Sequence, residues 1–113
     1  MEPFGSGWDN TAFLVDGRAV FRFPRKASTV VLLERETRAL PRIAPRLPLA
    51  IPVPRWVGRA TERYPWTFAG YARLPGVTAC AARLSDAERV AAAAPLGEFL
   101  AALHATPAEG LGL

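Results

Sequence analysis

Arg22 and Glu36 are the two residues whose types and positions most clearly indicate chemistry. Arg22 interrupts an otherwise apolar segment, AVFRF, and Glu36 falls on the apolar side of a predicted helix. An unpaired charge on a core-facing surface is costly, so each side chain is the expected partner of the other. A cation oriented by a carboxylate is suited to holding phosphate groups. From the spacing alone, a structural salt bridge or two exposed charges account for the same residues.

A glycine-rich segment, Gly5-Ser6-Gly7, precedes this pair in the sequence. Glycine lacks a Cβ and tolerates positive φ angles, so its backbone can approach a ligand closely. We interpret the segment as a flexible turn at the lip of a hairpin that covers a phosphate-bearing ligand. An ordinary hairpin with a solvent-facing arginine is the alternative, because glycine pairs near turns are common.

A predicted hairpin must position the arginine. Thr11–Val15 and Ala19–Phe23 are rich in β-forming residues, and they flank Asp16-Gly17, the dipeptide favoured in a type I′ turn. Side chains alternate along a strand, so Arg22 and Phe21 are expected on opposite faces of the second strand.

A predicted helix must position the glutamate. Val30–Leu40 has helical spacing, with Ser28 or Thr29 as the expected N-cap and with Pro41 and Pro45 expected to end or kink the helix. The predicted inward face carries Leu32, Leu33, Glu36, Ala39 and Leu40.

Two further strands are predicted after a proline-rich connector. Residues 46–54 are extended, 56–59 form a short strand, and 66–73 form a longer strand that stops at Leu74-Pro75-Gly76. The order of strand pair, helix and strands predicts an α+β domain with an antiparallel sheet.

The remainder of the chain is predicted to be helical. Ser85 and Glu88 match a capping box, and Pro95 is expected to begin a second helix at its first turn. The second helix carries an apolar stripe that must be buried against something, namely Leu96, Phe99, Leu100 and Leu103. Residues 106–113 have the composition of a loop.

Composition limits the class of protein. The 113 residues suit a single domain, and a net charge of +4 with a sequence pI of about 10.2 suits anionic ligands such as nucleotides. The basic residues are scattered, so a nucleic-acid surface ranks last. The single cysteine, Cys80, excludes a disulfide or a cysteine-based zinc site within the chain. No signal peptide or long apolar span is present, which predicts a cytoplasmic protein without membrane contact.

Five segments, in order, resemble the N-terminal part of the aminoglycoside phosphotransferase family of protein-kinase-like small-molecule kinases. They are FGSGWDNTAFLVDGRAVFRFPR, LERETRAL, LPLAIPVPRWVG, GYARLPG and LGEFLAALHA. The resemblance implies a kinase-like small lobe, in which an antiparallel sheet packs against one helix and helices of the interlobe region follow. Residues 1–76 would then be the nucleotide-binding lobe and hinge. Residues 77–113 would be a linker and helices leading to a catalytic lobe that this chain lacks.

The resemblance also assigns roles to individual residues. Gly5, Ser6 and Gly7 match the loop that covers the nucleotide, and Arg22 stands where a basic residue binds the phosphates of ATP. Glu36 matches the helix glutamate that orients that residue. The backbones at Ala72 and Leu74 match the hinge positions that bind the adenine edge. Whether Val20 or Phe21 lines the adenine pocket is left open.

The catalytic motifs of the family do not occur in this sequence. His-Gly-Asp-x-x-x-x-Asn and the later Ile-Asp-Trp-like motif are both missing, and His104 matches only a helix end. We therefore expect no phosphoryl transfer by this chain alone, with Mg²⁺ and a small-molecule acceptor bound only in a complete enzyme. A non-catalytic nucleotide-binding or interaction module, from a truncated gene or pseudogene, is the alternative. Self-association through an exposed C-terminal helix is expected if the apolar stripe stays uncovered.

Overall fold

The core of the protein is a five-stranded antiparallel sheet with the strand order β1-β2-β3-β5-β4. The computed structural model describes residues 1–112. The strands are β1 (Glu2–Ser6), β2 (Asn10–Val15), β3 (Ala19–Pro24), β4 (Pro54–Gly58) and β5 (Phe68–Ala72). The expected α+β class and antiparallel sheet are confirmed.

The β2–β3 hairpin has the predicted turn. Asp16 and Gly17 both have positive φ angles, 53° and 66°, as a type I′ turn requires, and the Arg18 N–H donates to the Val15 carbonyl over 3.1 Å. The expected glycine turn is only partly correct, because Gly5 and Ser6 belong to β1 and pair with Ala12 and Thr11 of β2. An edge strand needs only one neighbour, so two residues of glycine-rich sequence can still join the sheet.

The two faces of the sheet differ in what they contact. One face packs on a helix, and its buried centre consists of Leu33, Ala69 and Tyr71. The other face is aromatic: the Phe23 and Phe68 rings stack with centroids 4.8 Å apart, and Phe21 stacks on Trp56 at 5.8 Å. Arg22 and Phe21 therefore lie on opposite faces, as alternation along β3 predicts.

Helix α1 (Ala27–Ile43) covers the first face. It begins before the predicted Ser28 or Thr29 caps, with Lys26 at the N-cap and no side-chain capping bond. The helix continues through Pro41 and ends at Ile43, and a short 3₁₀ turn at Ala44–Arg46, which contains Pro45, follows it. A proline in the last turn removes one backbone bond, while the Ala44 N–H still reaches the Leu40 carbonyl and closes the turn.

The predicted inward face of α1 is correct except at its first position. Leu33 and Ala39 are buried, at 2% and 3% exposure, whereas Leu32 is half exposed. Glu36 lies between the two buried positions around the helix and is partly exposed.

The last helices are α2 (Ala79–Ala82) and α3 (Asp86–His104). Ser85 and Glu88 form the predicted capping box. The expected helix start at Pro95 is wrong, because α3 runs through Pro95 without a break. One missing backbone bond does not end a helix whose flanking turns are alanine-rich and keep their own bonds.

The apolar stripe of α3 is divided between two environments. Phe99 and Leu103 face the small lobe and line a cavity there, whereas Leu96 and Leu100 are 54% and 41% exposed. Self-association through this exposed side stays a prediction.

No helix within residues 1–112 is long and apolar enough to cross a membrane. The cytoplasmic location stays a prediction.

Candidate nucleotide-binding site

The predicted pair of opposite charges is present. Nη1 of Arg22 donates to Oε2 of Glu36 over 3.3 Å, joining β3 to α1. The two side chains are 35% and 39% exposed. A pair this exposed contributes about 0–1 kcal/mol to stability, because water screens both charges. The guanidinium also keeps further donors that can bind an anion.

Tyr71 lies against this pair. The sequence placed it only in the segment that resembles the hinge and gave no sign of its contact with Arg22. Tyr71 lies opposite Val20 in the β3–β5 ladder and is 3% exposed, with the Arg22 guanidinium carbon 5.8 Å from its ring centroid. Its hydroxyl oxygen is buried and makes no hydrogen bond of normal geometry among residues 1–112, although the Arg22 guanidinium lies close to it. Burial raises the pKa of the Tyr71 hydroxyl, and the nearby Arg22 charge acts in the opposite direction. The residue therefore stays neutral and supports Arg22 through its ring.

A cavity of about 250 Å³ begins at this cluster and extends to the end of β5. Arg22 lines it on β3, and Ala72 and Leu74 line it at the end of β5. The remaining lining residues are Phe4, Val20, Pro52, Tyr71 and Arg73. A mostly apolar cavity with two cations, Arg22 and Arg73, suits a flat apolar ring that carries an anionic group.

The cavity brings together three of the predicted site residues, Arg22, Ala72 and Leu74. Val20 lines the cavity, whereas Phe21 lies on the aromatic face of the sheet. Which of the two would line an adenine pocket stays open. Glu36 is adjacent through its bond to Arg22. The cavity could not be located from sequence, because its walls come from β1, β3, β5 and the connector before β4.

The glycine-rich segment lies apart from this cavity. Gly5 is opposite Ala12, and Ala12 is opposite Arg22, so two strand spacings of about 10 Å in total separate Gly5 from Arg22. Ser6 and Gly7 line a shallow surface pocket with Trp8 and Arg25. The structure therefore does not place Gly5, Ser6 and Gly7 against the cavity.

Arg25 holds the turn after β1, and sequence reasoning missed it. Its Nη1 donates to the Gly7 carbonyl over 2.7 Å and to the Ser6 hydroxyl over 3.2 Å. Asp9 accepts from Lys26 over 3.0 Å on the other side of the turn. Because Arg25 and Lys26 connect β3 to α1, the turn is tied to the elements that carry Arg22 and Glu36.

A second cavity, of about 320 Å³, lies between α1, the connector before β4 and α3. Arg22, Glu36 and Tyr71 line one wall, and the rest is apolar, with Phe99 and Leu103 of α3 opposite. It is larger than the first cavity, but its lining includes the Glu36 carboxylate, which repels phosphate groups, whereas the first cavity has a second arginine, Arg73.

The described residues contain no group of three histidine, cysteine or acidic side chains that could hold a metal ion. His104 lies in the last turn of α3. The binding of Mg²⁺ only together with a catalytic lobe stays a prediction.

This sheet, its single packed helix and the strand-to-helix ion pair define the small lobe of a protein-kinase-like phosphotransferase. The sequence matches the APH phosphotransferase enzyme family over residues 1–113, and the chain belongs to that family. A search of curated proteins found no match.

Solved structures of aminoglycoside phosphotransferases have the same fold. The chain is 31% identical to the protein in the GDP and kanamycin complex of APH(2")-IIIa, with a TM-score of 0.86. It is 30% identical, also with a TM-score of 0.86, to the GDP complex of the wild-type aminoglycoside 2'-phosphotransferase-IIIa. The streptomycin–ATP–APH(2")-IIa ternary complex shares the fold at 24% identity and a TM-score of 0.67.

The chain corresponds to the N-terminal lobe of these enzymes. In the two GDP complexes, the match covers 97% of this chain and 37% of the neighbour's chain. The predicted family and the kinase-like fold are confirmed.

Proposed function

We propose that this chain binds ATP as the nucleotide-binding portion of an aminoglycoside phosphotransferase-like kinase. The observation that carries the proposal is the Arg22–Glu36 pair, 3.3 Å apart, in which Arg22 lines the same cavity as Ala72 and Leu74. Arg22 would hold the phosphates, and Glu36 would orient Arg22. The backbones of Ala72 and Leu74 would bind the edge of the base.

The glycine-rich residues have a separate place in this proposal. Gly5, Ser6 and Gly7 would cover the phosphates only if the turn after β1 moves toward Arg22. That movement requires Arg25 to release its hydrogen bonds to Ser6 and Gly7, because these bonds hold the turn in its present position.

Binding of adenine and guanine nucleotides needs to be compared directly. The neighbours at 30–31% identity are complexes with GDP, whereas the ATP complex is at 24% identity. GTP is therefore the second candidate nucleotide, and both should be titrated.

A complete enzyme would transfer the γ-phosphoryl group of the nucleotide to a hydroxyl of a small molecule. In this proposal, Arg22 and Glu36 supply positioning and positive charge for that reaction, and the group that accepts the hydroxyl proton comes from the catalytic lobe. Mg²⁺ would bind only together with a catalytic lobe. The alternative is a non-catalytic nucleotide-binding or interaction module. Such a module would have the same site, but no full-length form of it would transfer phosphate.

Calorimetric titration of the purified chain with ATP and with GTP tests the proposal. Arg22→Ala should weaken the preferred nucleotide by about 10- to 100-fold, the loss expected for charge-assisted hydrogen bonds of about 1.5–3 kcal/mol. Arg59→Ala is the matched control, because Arg59 is exposed beyond β4 and its loss changes the net charge equally. Equal effects of the two substitutions, or no saturable binding to the wild-type chain, would refute the proposal.

A further inference from the structure

The loop that follows α3 returns to the helix that carries Glu36. Leu111 of this loop is 8% exposed, although the residues around it are exposed. Gly110 and Gly112 have φ angles of 77° and 76°, so the loop curls tightly on both sides of Leu111. An apolar side chain is thereby anchored against the domain in the middle of the loop.

Two arginines of α1 bind the backbone of this loop. Nε and Nη2 of Arg38 both donate to the Gly112 carbonyl, over 3.3 and 3.2 Å, and Nη1 of Arg42 donates to the Gly110 carbonyl. These contacts are long-range in sequence: Arg38 precedes Gly112 by 74 residues, and Arg42 precedes Gly110 by 68 residues. Both acceptors are backbone carbonyls.

The arginines act on the side of α1 that faces away from the sheet. Arg38 and Arg42 lie about 200° and 240° around the helix axis from Glu36. The buried residues Leu33 and Ala39 lie about 60° to either side of Glu36. The helix is therefore held by the sheet on the Glu36 side and by the loop on the other side.

We propose that residues 108–112 form a strap that positions α1, with Arg38 and Arg42 as positioning residues that keep Glu36 paired to Arg22. The inference rests on the proposed nucleotide site for its functional consequence. The Arg22–Glu36 contact is one partly exposed bond and is too weak to fix the helix by itself. The strap supplies a second attachment that opposes rotation and lifting of α1.

The test compares Arg38→Gln/Arg42→Gln with Arg35→Gln, an exposed arginine on the same helix. Hydrogen exchange of the α1 amides, without nucleotide, should be faster in the double variant by at least about fivefold. ATP affinity should fall by a similar factor while adenosine affinity stays constant, because Glu36 acts through the phosphate-binding Arg22. Arg35→Gln should change none of these.

Two further variants separate positioning from general damage. Arg38→Lys/Arg42→Lys should restore much of the ATP affinity, because lysine can still donate to the carbonyls. Gly112→Ala attacks the strap from the loop side, since its Cβ would lie 3.1 Å from Nε of Arg38 and its φ of +76° disfavours alanine. It should reproduce the double variant.

The outcomes distinguish the strap from the proposed function. If the hydrogen-exchange rates of the α1 amides are unchanged in Arg38→Gln/Arg42→Gln and in Gly112→Ala, the strap proposal is overturned, whether or not the chain binds nucleotide. Faster exchange with equal losses of ATP and adenosine affinity overturns the positioning of Glu36. If the wild-type chain binds no nucleotide, the proposed function fails, and the exchange rates alone decide whether the strap holds the helix.

Discussion

Tyr71 and Tyr64 should respond in opposite directions to the same substitution. The Tyr71 hydroxyl is buried and makes no hydrogen bond of normal geometry among residues 1–112, whereas the Tyr64 hydroxyl donates to the carbonyl of buried Pro24 over 2.5 Å. Tyr71→Phe removes an unsatisfied polar atom from the core. Tyr64→Phe removes a hydrogen bond and leaves the Pro24 carbonyl without that donor.

The magnitudes follow from the cost of burying a hydroxyl without a partner. We expect Tyr71→Phe to raise the free energy of unfolding by about 1 kcal/mol and Tyr64→Phe to lower it by about 1 kcal/mol. For a domain of this size each change corresponds to a shift of about 4 °C in Tm. Tyr71→Phe should not weaken ATP binding, because the ring that lies beneath Arg22 is kept.

Urea denaturation followed by tryptophan fluorescence measures both variants, and an unchanged m-value shows that the two states being compared are the same. Tyr71→Leu is the additional control, because it removes the ring as well as the hydroxyl and should both destabilise the protein and weaken ATP binding. Equal losses of stability in Tyr71→Phe and Tyr64→Phe would refute the reasoning, since they would show that the Tyr71 hydroxyl is hydrogen-bonded in solution.

Two further predictions concern α3. The hydrogen bonds from Ser85 lower the pKa of the Glu88 carboxyl below 4.5. The ionised carboxylate therefore stabilises the folded protein above that pH, and this stabilisation is lost as the pH falls through the folded-state pKa. Glu88→Gln should lack this acid-dependent loss of stability in an acid denaturation experiment. The exposed leucines of α3 should drive self-association, so Leu96→Ser/Leu100→Ser should reduce the sedimentation-derived association constant by about tenfold or more. A monomeric wild-type chain at high concentration would contradict the second prediction.

The parts of the fold that local chemistry determines could be predicted from the sequence. Asp16-Gly17 fixed the hairpin because few dipeptides tolerate two positive φ angles, and Ser85 fixed the start of α3 because its side chain and that of Glu88 satisfy each other's backbone. The Arg22–Glu36 pair followed from two charges on apolar faces, and family resemblance supplied its role.

The parts that depend on tertiary packing could not be predicted. Pro95 was expected to begin a helix, yet the alanine-rich turns on either side of it keep their own bonds, and α3 runs through it. Tyr71 looked like an ordinary strand residue, because its place beneath Arg22 depends on the β3–β5 register. The bonds from Arg38 and Arg42 to the loop after α3 join residues far apart in sequence and use backbone acceptors, which leave no signature in side-chain types.

A double-mutant cycle on ATP affinity tests most directly the claim that Glu36 acts by orienting Arg22 toward phosphate. The wild-type chain, Arg22→Ala, Glu36→Ala and the double variant would be titrated with ATP by calorimetry at low ionic strength. We predict that Glu36→Ala weakens ATP binding in the wild-type background by about fivefold or more and has almost no further effect once Arg22 is absent. Fully additive losses, or tighter binding in Glu36→Ala, would contradict the account.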